Sequence, residues 1–322
     1  MYHCCISMLG LSLIVCFFVA ILVSYIIPQI ALFEIRNSIS MKPSDLGIRF
    51  EDIVLKPGDA KINIYGWWMP ADNSIATLIF VHGATSNRHS EFFKSVHFYE
   101  ALIQNNISVL SIDLRNHGDS DADGKGLGFG VSEAHDVTAA ISWAKSKLFD
   151  QPLFAMGISM GSASIIHAES QMKDLNGVIL LDPMLHTQSA FARGAGAQTR
   201  APWALFTPSA YISTWLYKLP HKSSDAFSKL CSLNIPILLI QDPDDPVAIA
   251  RFSRNAAATN SRIRYWEAPK VSRKHPALRD HGGWGSHVTA YAASPNETID
   301  EINNFVRSLI SSVADKNEQK VV

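Results

Sequence analysis

The chain is poor in cysteine and has no excess of either charge. Three of its four cysteines, Cys4, Cys5 and Cys16, lie in or beside an N-terminal apolar segment. Cys231 therefore stands alone in the body of the protein, which excludes an internal disulfide framework there and favours a reducing compartment. The formal net charge is -1, from 28 basic and 29 acidic residues. Such a balance gives no electrostatic reason to expect nucleic acid as a partner.

Internal repeats and low-complexity tracts are also missing, so a fibrous or repeat architecture is excluded. Of the 322 residues, 47% are hydrophobic and 18% are charged. That composition and length predict one large α/β domain with a short appendage, acting on a small neutral or amphiphilic substrate.

The N-terminal segment lacks charge over a length that matches a bilayer. From Leu9 to Ile27 every residue is apolar or small except Ser12, Ser24 and Tyr25. A helix of about 19 residues spans about 28 Å, close to the thickness of a membrane core. Because no Lys or Arg precedes this run and no clear cleavage site follows it, residues 1–32 are predicted to be an uncleaved membrane anchor. A signal segment is the alternative.

The side of the membrane stays open. Arg36, Lys42 and Arg49 follow the apolar run, and this charge bias would keep the following domain cytoplasmic. Glu34 and Asp45 lie among them and do not settle the orientation. The expected localisation is a single-pass membrane protein of undetermined orientation.

Residues 46–314 alternate between strand-like and helix-like stretches, which predicts a mostly parallel, doubly wound sheet. Residues 48–55 and 61–69 read as a hairpin of edge strands around a turn at 56–59. The apolar runs that follow lie at Thr77–Val81, Ile107–Ile112, Pro152–Met156, Gly177–Leu181, Ile235–Ile240 and Arg262–Trp266.

The interval from Leu181 to Ile235 is too long for a simple connection, and a small helical cap at about 184–230 is predicted there. Its rings, among them Phe191, Trp203 and Trp215, either pack the cap onto the sheet or line an acyl pocket. Residues 315–322 are predicted to form a polar tail that frays.

Gly157-Ile158-Ser159-Met160-Gly161 follows an apolar strand and precedes a helix-like stretch, which is the context of a nucleophilic serine on a tight turn. Small neighbours at both ends allow the close backbone approach that such a turn requires. The backbone N–H of Met160 is expected to point at the developing oxyanion. A second donor is expected from the Ala84 backbone, because His82-Gly83-Ala84 follows the strand Thr77–Val81. His82 itself is expected to order this loop rather than transfer protons.

At this point the chain resembles the α/β-hydrolase superfamily. The resemblance is carried by residues 80–83 (FVHG), 113–120 (DLRNHGDS) and 157–161 (GISMG), which occur in family order, and it covers roughly residues 60–310. It is similar to the serine-hydrolase branch that includes monoacylglycerol lipases, membrane-linked thioesterases and serine aminopeptidases. The resemblance implies the α/β-hydrolase fold and a structural role for Arg115 and His117.

The acid and the base are expected after the serine, in the order Ser, Asp, His. Asp245 matches the family stretch that ends Asp-Pro-Val, although Asp242 stands where the family usually has glycine; Asp182 is the alternative acid. His287 follows Gly-Ser as the family histidine does; His281 and His275 are the alternative bases.

These residues predict a serine hydrolase that cleaves ester or thioester acyl bonds through Ser159, His287 and Asp245 and an acyl-enzyme. No cofactor is expected. No metal is expected either, since the aspartates near 242–245 lack the glycine and the distal glutamate of an EF-hand loop. The expected partners are a membrane and a small-molecule acyl substrate, with lipid, small-ester and peptide substrates all open. The rival hypotheses are a catalytically inactive, membrane-tethered binding module and a haloalkane or epoxide hydrolase, which would need aspartate at 159.

Overall fold

A computed structural model describes residues 2–22, 26, 30, 32, 33, 36–148, 151–279 and 281–318. Its centre is an eight-stranded sheet. The strands are β1 (Glu51–Leu55), β2 (Ile64–Met69), β3 (Ala76–Val81), β4 (Ile107–Ile112), β5 (Leu153–Ile158), β6 (Gly177–Leu181), β7 (Ile237–Gln241) and β8 (Ile263–Glu267). Their order in the sheet is β1-β2-β4-β3-β5-β6-β7-β8.

From β4 to β8 all neighbouring strands are parallel, so the predicted mostly parallel sheet is confirmed. Every residue of β3 to β7 is buried. Strands that are covered on both faces need apolar side chains on both faces, which is why their sequences read as continuous apolar runs.

The predicted hairpin is confirmed, but the prediction that both of its strands lie at the edge is wrong. β2 pairs antiparallel with β1 and also with β4, so of the two hairpin strands β1 lies at an edge of the sheet and β2 does not. Gly66 faces β4, and a Cβ at this position would lie 2.6 Å from the carbonyl oxygen of Ser111. Glycine at this position therefore permits the close pairing of β2 with β4.

Helices cover both faces of the sheet. The helices are α1 (Tyr2–Ile21), α2 (Ser95–Gln104), α3 (Ala134–Lys147), α4 (Met160–His167), α5 (Thr187–Thr199), α6 (Thr207–Leu216), α7 (Ala226–Leu230), α8 (Ala250–Thr259), α9 (Ala290–Ala293) and α10 (Pro295–Glu318). One core cluster contains residues of α3, α4 and α8, and the other contains residues of α2 and α10.

The connection between β6 and β7, where the cap was predicted, contains α5, α6 and α7. Phe191 of α5 is buried and its ring contacts that of Phe129, 6.1 Å between centroids. Trp203 and Trp215, in contrast, are exposed. Some aromatic rings of the cap therefore neither pack onto the sheet nor line an acyl pocket, which were the two predicted alternatives.

Both ends of the chain include residues outside the described ones. Helix α1 lies within the predicted anchor at 1–32, of which residues 1, 23–25, 27–29 and 31 are not described. In the part of the chain that can be described, no helix has both the length and the apolar character to span a bilayer. At the other end α10 continues into the predicted tail as far as Glu318, and residues 319–322 are not described.

Candidate active site

Ser159 lies on a strained turn between β5 and α4. Its backbone has φ 51° and ψ -115°, a region that L-residues avoid. The neighbouring segments are too close for larger residues: a Cβ on Gly157 would lie 2.4 Å from the backbone of Gly161, and one on Gly161 would lie 2.2 Å from the Val81 carbonyl oxygen. The two glycines of the motif therefore permit the turn that exposes the serine at the carboxyl end of the sheet.

The three residues predicted as nucleophile, base and acid form one chain of contacts. His287 Nε2 lies 3.0 Å from Ser159 Oγ, and His287 Nδ1 lies 2.7 Å from Asp245 Oδ2. A carboxylate on Nδ1 fixes the proton there, which leaves Nε2 free to accept the serine proton.

The alternative histidines lie in other contacts. His281 Nδ1 is 3.0 Å from the Gly285 carbonyl oxygen, and its ring contacts that of Phe92. His275 Nδ1 accepts a hydrogen bond from the Ala277 N–H. Among the three candidate bases in the described chain, His287 is the one placed against Ser159.

Asp245 is held in place by its own loop. Its Oδ1 accepts hydrogen bonds from the backbone N–H groups of Val247 and Ala248, at 2.7 and 2.8 Å, which leaves Oδ2 directed at His287. Asp242, at the position where glycine was expected, is buried and accepts a hydrogen bond from the Asp244 N–H at 2.7 Å. Burial raises the pKa of the Asp242 carboxyl above its ordinary value.

Asp182, the alternative acid, lies beside this chain of contacts and is fully buried. It accepts hydrogen bonds from the N–H groups of Asp242 (2.7 Å) and Val288 (2.9 Å) and from the side chain of Gln241 (3.1 Å). One carboxyl thus joins the loop that carries Asp245 to the loop that carries His287. Burial raises the pKa of Asp182 well above its ordinary value, and the negative charge of Asp245 adds to the effect.

One acceptor or donor atom from each of Asp182, Asp245 and His287 lies within 4.8 Å of the others, which is close enough for metal ligands. Five N–H groups already donate to the two carboxylates besides the imidazole contact. Hydrogen bonds therefore occupy the oxygens that a cation would need, and the donor set suits an acid–base pair better than a metal site.

Two backbone N–H groups are available for an oxyanion. In the described chain, neither the Ala84 N–H nor the Met160 N–H donates a hydrogen bond to another residue. Met160 begins α4, where N–H groups lack intrahelical partners and favour negative charge. A Cβ on Gly83 would lie 3.2 Å from the Ser159 Cβ, so the loop before Ala84 passes directly beside the serine.

His82 holds that loop. Its Nε2 accepts a hydrogen bond from the Leu114 N–H at 3.0 Å, so Nδ1 carries the proton and donates to the Gly83 carbonyl oxygen at 2.7 Å. The ring is fully buried, and burial lowers its pKa well below the ordinary value, which keeps it neutral. His82 thus connects the end of β4 to the loop of Ala84.

The Asp-x-Arg-x-His stretch lies in a buried ion-pair network. Arg115 is almost completely buried and pairs with Asp136 and Asp59, each at 2.8 Å. Asp113 pairs with Arg88 at 2.6 Å; burial nevertheless raises the pKa of Asp113 to about 6. His117 Nδ1 contacts the Arg115 carbonyl oxygen at 2.7 Å.

Two cavities meet at Ser159. The first, of about 310 Å³, is mainly apolar and is lined on one side by α5, including Ala190, Phe191 and Ala195. The second, of about 470 Å³, is more polar; its lining includes Asn87 and His89. Ser159 lies in the lining of both cavities, so an acyl group and its leaving group could occupy separate spaces on either side of the serine.

Two contributions to the site were missed by reasoning from the sequence. Asp182 was considered as the acid, whereas its contacts make it the link between two loops. Trp284 stacks on the His287 ring, 5.9 Å between centroids, and lines both cavities. Its position three residues before His287 was the available signal, but a nearby aromatic residue in a loop does not by itself indicate such a contact.

Known structures share this fold at low sequence identity. An esterase of Pyrococcus furiosus, Pf2001, is 23% identical with a TM-score of 0.65, covering 85% of this chain and 98% of its own. A predicted CIB-like hydrolase from Thermoplasma acidophilum is 16% identical with a TM-score of 0.53, covering 81% and 100%. Est1E from Butyrivibrio proteoclasticus, with bound ferulic acid, is 13% identical with a TM-score of 0.56, covering 80% and 99%.

No curated protein matches the chain in sequence. The profile of the Alpha/beta hydrolase family, in contrast, matches residues 78–310. This range includes most of β3, all of β4 to β8, the turn of Ser159 and the loops of Asp245 and His287. The chain therefore belongs to the alpha/beta hydrolase family.

Proposed function

We propose that the chain is a serine esterase in which Ser159 is the nucleophile, His287 the general base and Asp245 the residue that orients His287. The observation that carries this proposal is the continuous contact from Asp245 to His287 to Ser159, at 2.7 and 3.0 Å. The Pyrococcus furiosus neighbour, which is named as an esterase, agrees with it. Thioesters are included among the substrates because the same acyl chemistry cleaves them.

In the proposed mechanism Ser159 Oγ attacks the acyl carbon while His287 Nε2 takes the serine proton. The N–H groups of Ala84 and Met160 stabilise the oxyanion, and each such donor contributes about 3 to 4 kcal/mol. Collapse of the intermediate expels the alcohol or thiol, which takes the proton back from His287. Water, deprotonated by His287, then attacks the acyl-enzyme and releases the acid and free Ser159.

The two cavities suggest how a substrate lies. We assign the acyl group to the apolar cavity and the leaving group to the polar one. An acyl cavity of about 310 Å³ is at the lower end of the range of roughly 300 to 1,000 Å³ for small-molecule sites. Short and medium acyl chains are therefore expected to react faster than long ones.

The membrane anchor belongs to the same proposal. The uncharged run from Leu9 to Ile27 supports a single-pass anchor, with the side of the membrane left open. An anchor would hold the enzyme near amphiphilic esters, so monoacyl lipids and other lipid-like esters with short or medium acyl chains are the proposed natural substrates.

The test is labelling of the full chain in mild detergent with a fluorophosphonate, which reacts with activated serines. We expect labelling of the wild type, none of Ser159→Ala, and a strong reduction in His287→Ala and Asp245→Ala. Ser189→Ala is the matched control, because Ser189 lies in the same cavity without the contact to His287. A series of acyl esters of graded length, assayed on the same preparations, then tests the chain-length preference.

A folded wild type that fluorophosphonate does not label would contradict the esterase proposal, and a binding protein would become the leading alternative. Labelling that survives Ser159→Ala would assign the reactivity to another residue.

A further inference from the structure

Helix α6 exposes its apolar side to solvent and buries its small and polar side. The residues on its buried side are small or polar, Ser209, Ala210, Ser213 and Thr214. Its outer side carries Tyr211, Ile212, Trp215 and Leu216, which are 63%, 39%, 80% and 43% exposed. A surface helix of a soluble domain normally turns its apolar side toward the core, so this orientation requires another apolar partner.

The same surface continues into the turn before the helix. Trp203 is 46% exposed and Leu205 is 60% exposed. We call these two residues together with the outer side of α6 the outer cap face (Trp203, Leu205, Tyr211, Ile212, Trp215 and Leu216). Single exposed apolar residues are common, whereas six within residues 203–216 mark an interaction site.

The charges around the outer cap face have one sign. Residues 201–217 contain no charged side chain, and Arg200 and Lys218 flank them directly. From Pro183 to Ser224 the chain has four basic residues and no acidic one. Tryptophan and tyrosine beside aliphatic residues, with basic residues at the border, are the composition of a surface that binds a membrane containing anionic lipid.

The outer cap face is also continuous with the N-terminal segment. The ring of Phe33, which follows the predicted anchor, contacts the ring of Tyr217 at the end of α6, 6.0 Å between centroids. The chain that leaves the apolar N-terminal run therefore meets the domain at the cap. A bilayer that holds the N-terminal run would lie on the same side of the domain as the outer cap face.

From these observations we infer that the outer cap face is a membrane-docking surface. Its aromatic and aliphatic side chains enter the interface of a bilayer, and the exposed residues Arg200, Lys218 and Lys222 contact anionic headgroups. A second copy of the chain is the competing occupant, but the excess of basic residues favours an anionic lipid surface over a copy that carries the same charge. The inference does not depend on the reaction proposed for Ser159.

Membrane docking of the outer cap face can be tested in the full chain by tryptophan fluorescence. No tryptophan occurs in residues 1–66, so the predicted anchor contributes no tryptophan fluorescence. The chain is reconstituted into vesicles of phosphatidylcholine with phosphatidylglycerol, and brominated phosphatidylcholine then replaces the ordinary lipid. We expect quenching in the wild type, and loss of most of that quenching in Trp203→Phe/Trp215→Phe.

Trp266→Phe is the matched control, since Trp266 lies in β8 and is half-buried against the core; it should keep the quenching. Urea unfolding of each variant verifies that the fold is unchanged. The Ser159→Ala variant should quench like the wild type, so failure of the esterase proposal and failure of this inference are distinguishable.

Absence of quenching, or equal quenching in Trp203→Phe/Trp215→Phe, would overturn the inference. Sedimentation in detergent tests the second copy: if Tyr211→Ser/Trp215→Ser converts a dimer into a monomer, the face is a contact between copies. Omission of phosphatidylglycerol should weaken the quenching, and quenching that is independent of it would remove the role given to the basic residues.

Discussion

The loops at the carboxyl end of the sheet and the cap differ in how their buried polar side chains are hydrogen-bonded. Around Ser159, Asp182 accepts three hydrogen bonds and Ser162 Oγ donates to the Gly157 carbonyl oxygen at 2.6 Å, whereas Asp242 Oδ2 is a buried atom without a partner among the described residues. In α6 the buried hydroxyls of Ser209 and Ser213 have no partner among the described residues. Hydrogen bonds between loops fix the geometry around Ser159. The cap is distinguished instead by the apolar residues that it exposes.

The largest effect expected to separate the two regions is on the rate of hydrolysis. Ser159→Ala should reduce kcat for a soluble short-chain ester by about 10⁴ to 10⁶. Tyr211→Ser should leave it unchanged, because Tyr211 is 63% exposed and lines neither cavity at Ser159. Steady-state kinetics on the two variants measures this. An equal loss in Tyr211→Ser would show that the cap takes part in the chemistry.

Asp182→Ala should be the second-largest effect, because three N–H groups lose their acceptor and two loops lose their connection. Each unpaired buried group costs about 1 to 3 kcal/mol, so the free energy of unfolding should fall by a few kcal/mol. A shift of His287 relative to Ser159 should lower kcat by about 10²-fold. KM should change little, since Asp182 lines neither cavity.

Asp182→Asn is the matched variant for this test. Its Oδ1 can still accept from the Asp242 N–H, but its amide group meets the Val288 N–H, so an intermediate loss of kcat is expected. Urea unfolding and the separate values of kcat and KM provide the measurements. An unchanged kcat in both variants would contradict the role of Asp182 as the link between the loops.

The stability of the fold is expected to fall in acid because His117 is buried. Burial lowers the pKa of His117 from 6.5 to about 4. The unfolded chain therefore takes up a proton below about pH 6.5 that the native state refuses until about pH 4, and stability is lost as the pH falls between these values. Over the whole interval the loss attributable to His117 is about 3 kcal/mol.

His117→Asn tests this attribution by removing the titrating group. The variant should be less stable at pH 7, and the gap to the wild type should narrow by about 2 kcal/mol at pH 5. The free energy of unfolding in urea at the two pH values decides the matter. Parallel pH profiles would assign the acid sensitivity elsewhere.

The smallest expected effect compares two buried serines directly. Ser162→Ala removes the hydrogen bond to Gly157 and should cost about 1 kcal/mol of unfolding free energy. Ser213→Ala removes a buried hydroxyl without a partner in the described chain and should be neutral or slightly stabilising. Thermal or urea unfolding measures both. Equal losses would mean that the cap hydroxyl is paired after all, for example through water.

The parallel strands were predictable to within a few residues because their burial on both faces leaves an apolar run that can be read locally. β2 was misplaced since strand pairing is not local: an apolar stretch does not specify which strand lies beside it. The cap was predicted as an aromatic-rich helical insertion. The outward orientation of Tyr211 and Trp215 was not predicted. Apolar helix residues normally face the core, and composition does not show which helices depart from that pattern.

By itself, the sequence determined the fold class and the candidate serine, since close backbone contacts at the turn require Gly157 and Gly161, which a short motif can record. It narrowed the acid and the base to a few residues. Only the tertiary structure placed His287 against both Ser159, 128 positions earlier, and Asp245, 42 positions earlier. The same holds for Asp182 and the outer cap face, because hydrogen bonds between distant loops and the exposure of a helix face depend on what packs beside them.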